Sequence, residues 1–379
     1  MTERLADLMR AEAEGLDVPR PASGPVLTRG RRLRRRRRTT SALAGLAVLA
    51  AIGGTALALG GSDRDRAVDP AGSPAPASDD LGAVFSVGAT VYLDGGRRSV
   101  TIADTSVKSF YYTSAGLLVR QGDNPWSDGG GAQRFSLVRA DGTTSPVSVE
   151  TEETVHATDP AQPYLAYART RSGTVEVVVH DVSTDEEVAV VPVPGASASF
   201  LPVALSGDLV FLGADGQDFV VDWTTGEITR PGIVRGYPEV AGGHAAVQGD
   251  GEVSVVDAST GETLLAVEAA GYAYLSLSPD GRFAKLDADE QVSGFDVYDV
   301  VAGTHVQLPG ATYDYGWTAD GDLFRLQESA SGVRLSTCEA DTGSCAATEP
   351  DLATPPNDAA ASSEDYSGEL KLGGLIYES

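Results

Sequence analysis

Leu277-Ser278-Pro279-Asp280-Gly281-Arg282-Phe283 is the stretch whose reading decides the fold, because Ser, Pro, Asp and Gly in that order form a tight turn between two apolar runs. Working outward, related turns stand at Ser114-Ala115-Gly116, Pro160-Ala161-Gln162-Pro163, Ser206-Gly207-Asp208, Ala241-Gly242-Gly243 and Ala319-Asp320-Gly321. Between them runs a second signal, alternating apolar residues followed by an acidic or small-residue turn. Its copies centre near residues 95, 141, 183, 224, 259, 301 and 341, at spacings of 46, 42, 41, 35, 42 and 40. An interval near forty residues suits the four-stranded blades of a propeller.

Pairing the two kinds of turn gives six complete blades. The leftover pieces complement one another. The first hairpin, at 90–102, lacks inner strands, and Glu369-Leu370-Lys371-Leu372-Gly373-Gly374-Leu375-Ile376-Tyr377 has the form of an inner pair without outer strands. Joining them predicts an all-β, seven-bladed β-propeller over 83–379, closed with both termini in one blade so that few sheet edges stay open. A six-bladed ring with a C-terminal tail is the alternative, because 348–368 is rich in Ala, Ser, Asp and Pro.

Leu277–Phe283 and the units Phe295-Asp296-Val297-Tyr298-Asp299-Val300-Val301-Ala302-Gly303 and Val255-Val256-Asp257-Ala258-Ser259-Thr260-Gly261-Glu262 resemble the WD-repeat and TolB-type propellers, over nearly all of 84–378. The chain departs from the WD pattern, since Asp222-Trp223 reverses the order and Gly243-His244 is out of place for the Gly-His pair. The resemblance implies a fold and a tendency to bind proteins or ligands, and it carries no catalytic residues across.

Ahead of the repeats, Ser41 to Gly61 is a run of 21 uncharged residues, long enough as a helix to cross a bilayer. The Arg-rich segment from Arg29 to Arg38 precedes it and predicts a cytoplasmic N-terminus with everything after Gly61 extracytoplasmic. Cleavage near Ala56-Leu57-Ala58 is the alternative to anchoring. Residues 1–40 form the cytoplasmic segment. Within it, Leu5, Leu8 and Met9 make the apolar stripe of a short helix and a candidate face for a cytoplasmic regulator. Residues 62–82 read as a flexible linker. The layout of this leader resembles actinobacterial single-span membrane proteins associated with extracytoplasmic-function sigma factors, which implies inward signalling through the first helix. It lacks the His/Cys zinc motif of zinc-containing anti-sigma domains.

The formal net charge is −26, unevenly spread. Residues 62–379 hold 17 basic and 49 acidic residues, a net of −32, and so acidic a body repels phosphate backbones, which excludes nucleic acid as the partner of the main domain. The two cysteines, Cys338 and Cys345, flank a hairpin turn at 340–343 and are placed to form a disulfide, stable outside the cytoplasm and worth about 2.5 kcal/mol for so short a loop.

No enzyme signature stands out. The four histidines, His156, His180, His244 and His305, are scattered and read as loop or strand-surface residues, and no metal, nucleotide or other cofactor motif is present. The candidate binding residues are aromatic or polar. Asn124, Trp126 and Asp128 lie in a Gly-rich insertion, and Tyr111, Tyr272, Tyr313 and Trp317 cluster where blades begin. The expected function is that of a non-enzymatic, membrane-anchored binding, sensing or scaffold module for an extracytoplasmic protein or small ligand. A sigma-factor-associated regulator and an enzyme with its site in the propeller channel are the alternatives.

Overall fold

In the computed structural model the described residues are 81–374, apart from 103–105, 125–130, 152–153, 198–199, 215, 234–235, 250, 270, 289–293, 330–331 and 348–369. The cytoplasmic segment with Leu5, Leu8 and Met9, the apolar run 41–61, and Trp126 and Asp128 lie outside them. Among the described residues no helix is long and apolar enough to cross a membrane.

The described residues form seven four-stranded antiparallel sheets. Blades 2 to 7 are each built from four successive strands, within 106–151, 157–192, 203–229, 239–268, 273–308 and 316–347. Blade 1 combines Phe85–Val87, Thr90–Leu93 and Arg98–Thr101 with Leu370–Leu372. The described residues thus form seven blades, not six with a tail.

Strand sequence follows from burial on both faces. In Thr174–Asp181 of blade 3, Val175, Val177 and Val179 pack toward blade 4, while Val178 packs toward blade 2. Successive side chains point to opposite sides of a strand, so a blade between two others reads as a nearly continuous apolar run. Seven apolar clusters result among the described residues, each centred between neighbouring blades. The last, with Phe85, Leu372, Phe324 and Leu335, joins blade 7 to blade 1 and completes the circle.

The two repeated turns have distinct chemistry. At the inner turn of blade 6, Ser278 Oγ accepts from Phe283 N (2.9 Å) and donates to Asp280 Oδ1 (2.6 Å), while Gly281 takes φ +73°. Thr318, Asp320 and Gly321 repeat this device in blade 7. In blades 3 to 6 the outer turn is closed by an Asp at the end of the third strand. Asp222 Oδ1 accepts from Thr224 N and Thr225 N, and Asp257 Oδ1 from Ser259 N and Thr260 N. These local bonds replace ladder bonds that the turn cannot make.

Closure differs in detail from the sequence expectation. The C-terminal segment supplies one inner strand rather than two, because Leu370–Leu372 pairs directly with Phe85–Val87, which holds the second position. Leu81, at the end of the expected linker, is fully buried, and its carbonyl accepts from Asp94 N (2.6 Å). Gly373 is the keystone of the arrangement. Its N–H donates to Val84 O (2.8 Å), its carbonyl accepts from Trp317 N (2.9 Å), and Tyr112 of blade 2 reaches past blade 1 to donate to Trp317 O (2.8 Å). At the rim of blade 7, Cys338 and Cys345 sit opposite one another and form the disulfide.

A Cβ on Gly373 would lie 2.4 Å from Tyr112 Oη and 3.0 Å from Val84 O. Gly373→Ala is therefore expected to destabilise the propeller by about 1–3 kcal/mol, and Tyr112→Phe by about 1 kcal/mol, in urea unfolding of the full chain. Unchanged midpoints in both would show that closure does not depend on this contact.

Candidate functional site

Because the strands alternate in direction, every innermost strand starts on the same side of the ring, here termed the inlet face. Blades 4 to 7 bring aromatic residues there. Phe200 precedes Val203–Ser206, Tyr237 precedes Glu239–Ala241, Tyr272 and Tyr274 open Ala273–Leu277, and Tyr313 lies in the 3-10 turn Thr312–Asp314 before Gly316–Trp317. Tyr237, Tyr272, Tyr274 and Tyr313 are 60, 64, 40 and 53% exposed, so their rings belong to the surface and not to the blade interfaces. Ring centroids lie 5.4 Å apart for Phe200 and Tyr237 and 6.1 Å apart for Tyr272 and Tyr274.

Alternation along the first strand of blade 6 sets up the polar part of this mouth. Ala273, Leu275 and Leu277 face the blade 5 core, which turns Tyr274 and Ser276 the other way, opposite Asp287 and Lys285 in register. Asp287 Oδ2 accepts from Tyr274 Oη (3.0 Å) and from Thr312 Oγ1. Lys285 is buried. Its Nζ donates to Tyr315 O (2.9 Å) and Thr312 O (3.3 Å) and stands 5.2 Å from the centre of the Trp317 ring. Half-buried Glu239, the first residue of the blade 5 inner strand, accepts from Leu277 N (2.9 Å).

Desolvation dominates the protonation of this group. Burial pushes Lys285 down to about 7, against the pull of Glu239 and Asp287. Burial likewise pushes Glu239 up to about 7, opposed by the Leu277 N–H and by Lys285. The Tyr274 phenol is raised by burial and by the adjacent Asp287 carboxylate.

Toward the middle of the ring lies a cavity of about 40 Å³, lined among others by Phe110, Tyr112, His156, Thr158, Ala204 and Val240. His156 is fully buried, and its Nε2 is 2.7 Å from Thr151 Oγ1 while Nδ1 has no partner among the described residues. Phe135, Tyr167 and Tyr111 box the ring, and burial, helped by the Arg120 charge, holds its pKa well below the usual value, so it stays neutral at pH 7. It is thus no surface histidine, and neither is His180, which is buried and contacts Asp185 (3.0 Å). His180 lies in blade 3, and His156 immediately precedes its first strand, Ala157–Thr158. Among the described residues no group of three or more His, Cys, Asp or Glu side chains is placed to hold a metal ion.

Of the residues singled out in the sequence, Tyr272 and Tyr313 stand exposed on the inlet face. Tyr111 is buried between blades 2 and 3, and Trp317 is fully buried between blades 6 and 7, so both rings serve packing. Asn124 Oδ1 accepts from Lys108 Nζ (2.8 Å), a lysine turned inward where the first strand of blade 2 bulges. Sequence reasoning passed over Glu239, Lys285 and Asp287. The available signal was a charge at alternate positions of Phe283-Ala284-Lys285-Leu286-Asp287, inside a strand that blade packing makes apolar.

No known sequence family matches the chain, and no curated protein does. Among solved structures the chain is similar to TolB from Acinetobacter baumannii, at 12% identity over 77% of this chain and 66% of that chain, with a TM-score of 0.40. It is also similar to BamB from Moraxella catarrhalis, at 14% identity over 70% of this chain and 89% of that chain, TM-score 0.34. The Cps50 (Swd1) β-propeller domain from Myceliophteria thermophila matches at 14% identity over 67% of this chain and 90% of that chain, TM-score 0.42. These likenesses are of fold alone.

Lys285 generates a pH prediction. Its folded value of about 7 lies below the usual 10.5, so between the two the unfolded chain holds more protons. Raising the pH across that window therefore stabilises the fold, by at most about 1.4 kcal/mol per pH unit. Urea unfolding from pH 7.5 to 9.5 should show this rise in the wild type and lose it in Lys285→Met.

Proposed function

We propose that this chain is a non-enzymatic binding and scaffold module whose propeller presents its inlet face to a partner outside the cytoplasm, held to the membrane by the apolar run 41–61. One observation carries the reading. The exposed tyrosines of blades 5 to 7 all gather on a single face of the ring, where aromatic rings give large contact area at low entropic cost. The disulfide at Cys338 and Cys345 supports an oxidising compartment, and the arginine cluster before residue 41 supports a cytoplasmic N-terminus.

The opposite rim offers a control. Val301 sits there in the outer turn of blade 6 and is 74% exposed. A photo-crosslinking residue placed in the full chain at 272 or 313 is expected to give discrete adducts in intact cells, and one placed at 301 none. The reverse pattern, or adducts that form only with cytoplasmic proteins, would overturn the proposal.

A further inference from the structure

The mouth holds two carboxylates that the fold does not use up. Asp287 engages the Tyr274 and Thr312 hydroxyls through Oδ2 alone, and Glu239 engages the Leu277 amide through Oε1 alone. Each leaves a second oxygen without a protein partner among the described residues, and neither oxygen is sealed from solvent. The cations beside them are committed to backbone. Lys285 directs its hydrogen bonds to two carbonyls while its charge lies within reach of both carboxylates, and Arg325 donates to Pro309 O (3.2 Å) with its guanidinium 5.1 Å from the centre of the Tyr315 ring. Asp314, the remaining carboxylate of the 3-10 turn, caps that turn by accepting from Ala311 N (3.2 Å).

This environment contrasts with that of the acids in the outer turns. Asp222 and Asp257, half-buried as well, already accept several bonds from their own turns. Asp287 and Glu239 are half-buried, where an incoming charge is less screened than in open water. Beside them stand the exposed faces of Tyr272, Tyr274 and Tyr313, and a ring face attracts a cation. An Arg side chain meets both requirements at once, since its planar guanidinium stacks on aromatic rings and presents a donor fork to carboxylate oxygens. The net charge of −32 over residues 62–379 steers such a group inward.

Resting on the reading of the inlet face as a docking face, the geometry points to recognition of an arginine-bearing segment of a partner protein, its guanidinium received by Asp287 and Glu239 and stacked against Tyr272, Tyr274 and Tyr313.

The test uses the full chain and a fluorescent ten-residue Gly/Ser peptide carrying one central arginine, with a citrulline counterpart of the same shape and no charge. By fluorescence anisotropy the arginine peptide is expected to bind at least tenfold more tightly than the citrulline peptide. Asp287→Asn should weaken it at least fivefold, Tyr272→Ala and Tyr313→Ala together by a similar factor, and Glu262→Gln, in a remote outer turn, by less than twofold. Equal affinities for the two peptides, both lost in the tyrosine variant, would overturn the charge recognition and leave the docking face standing. Arginine-peptide binding indifferent to Asp287→Asn and to the tyrosine changes would overturn both, and so would no binding of either peptide. Circular dichroism of each variant separates lost binding from lost fold.

Discussion

Everything in this propeller depends on one closure, the point where Gly373 is held between Val84, Trp317 and Tyr112. A blade buries both of its faces only if it has a neighbour on each side. An open ring would leave the faces now joined around Phe85, Leu372, Phe324 and Leu335 in water. Leu370–Leu372 supplies the innermost strand of blade 1 and so converts a stack of blades into a circle without free ends. The contact is made by glycine because the Tyr112 hydroxyl and the Val84 carbonyl crowd the position, leaving no room for a Cβ.

The same geometry divides the molecule into two chemically different sides. On the rim that carries the inner and outer turns, Asp, Ser and Thr side chains satisfy the backbone of their own turns. Neighbouring inner turns press together so closely that a Cβ on Gly242 would lie 1.9 Å from Asp280 O. Those acids are structural. Their pKa values are lowered chiefly by side-chain hydrogen bonds within the turn, as for Asp222 and for Asp257, which falls to about 2. On the inlet face the chain crosses between blades with fewer constraints. There the tyrosines stay exposed, and Asp287 and Glu239 keep capacity for an external group.

Beneath the mouth, buried Lys285 ties the fold to the placement of the exposed rings. Lys285 fastens the approach to blade 7 by holding the carbonyls of Thr312 and Tyr315, which in turn positions Tyr313 on the surface and Thr312 against Asp287. The exposed rings of the inlet face therefore rest on a buried, hydrogen-bonded layer that fixes them from below.

Turn chemistry and strand alternation are local properties, so residues such as Ser278, Asp280, Gly281 and Asp257 made the hairpins and a propeller legible in the sequence, while the choice of seven blades over six waited on the pairing of Leu370–Leu372 with Phe85–Val87. The pairing of Cys338 with Cys345 was legible for the same reason, since one short hairpin contains both. Which strand closes blade 1, and the burial of Tyr111, Trp317 and His156, depended on neighbours far away in the chain. The site was legible only in part. Tyr272 and Tyr313 stood out as aromatics where blades begin, but Glu239, Lys285 and Asp287 are separated in sequence and acquire meaning only once blades 5, 6 and 7 are packed. A side chain's type is written in the sequence, whereas its exposure and its spare hydrogen-bonding capacity are decided by what the tertiary structure places beside it.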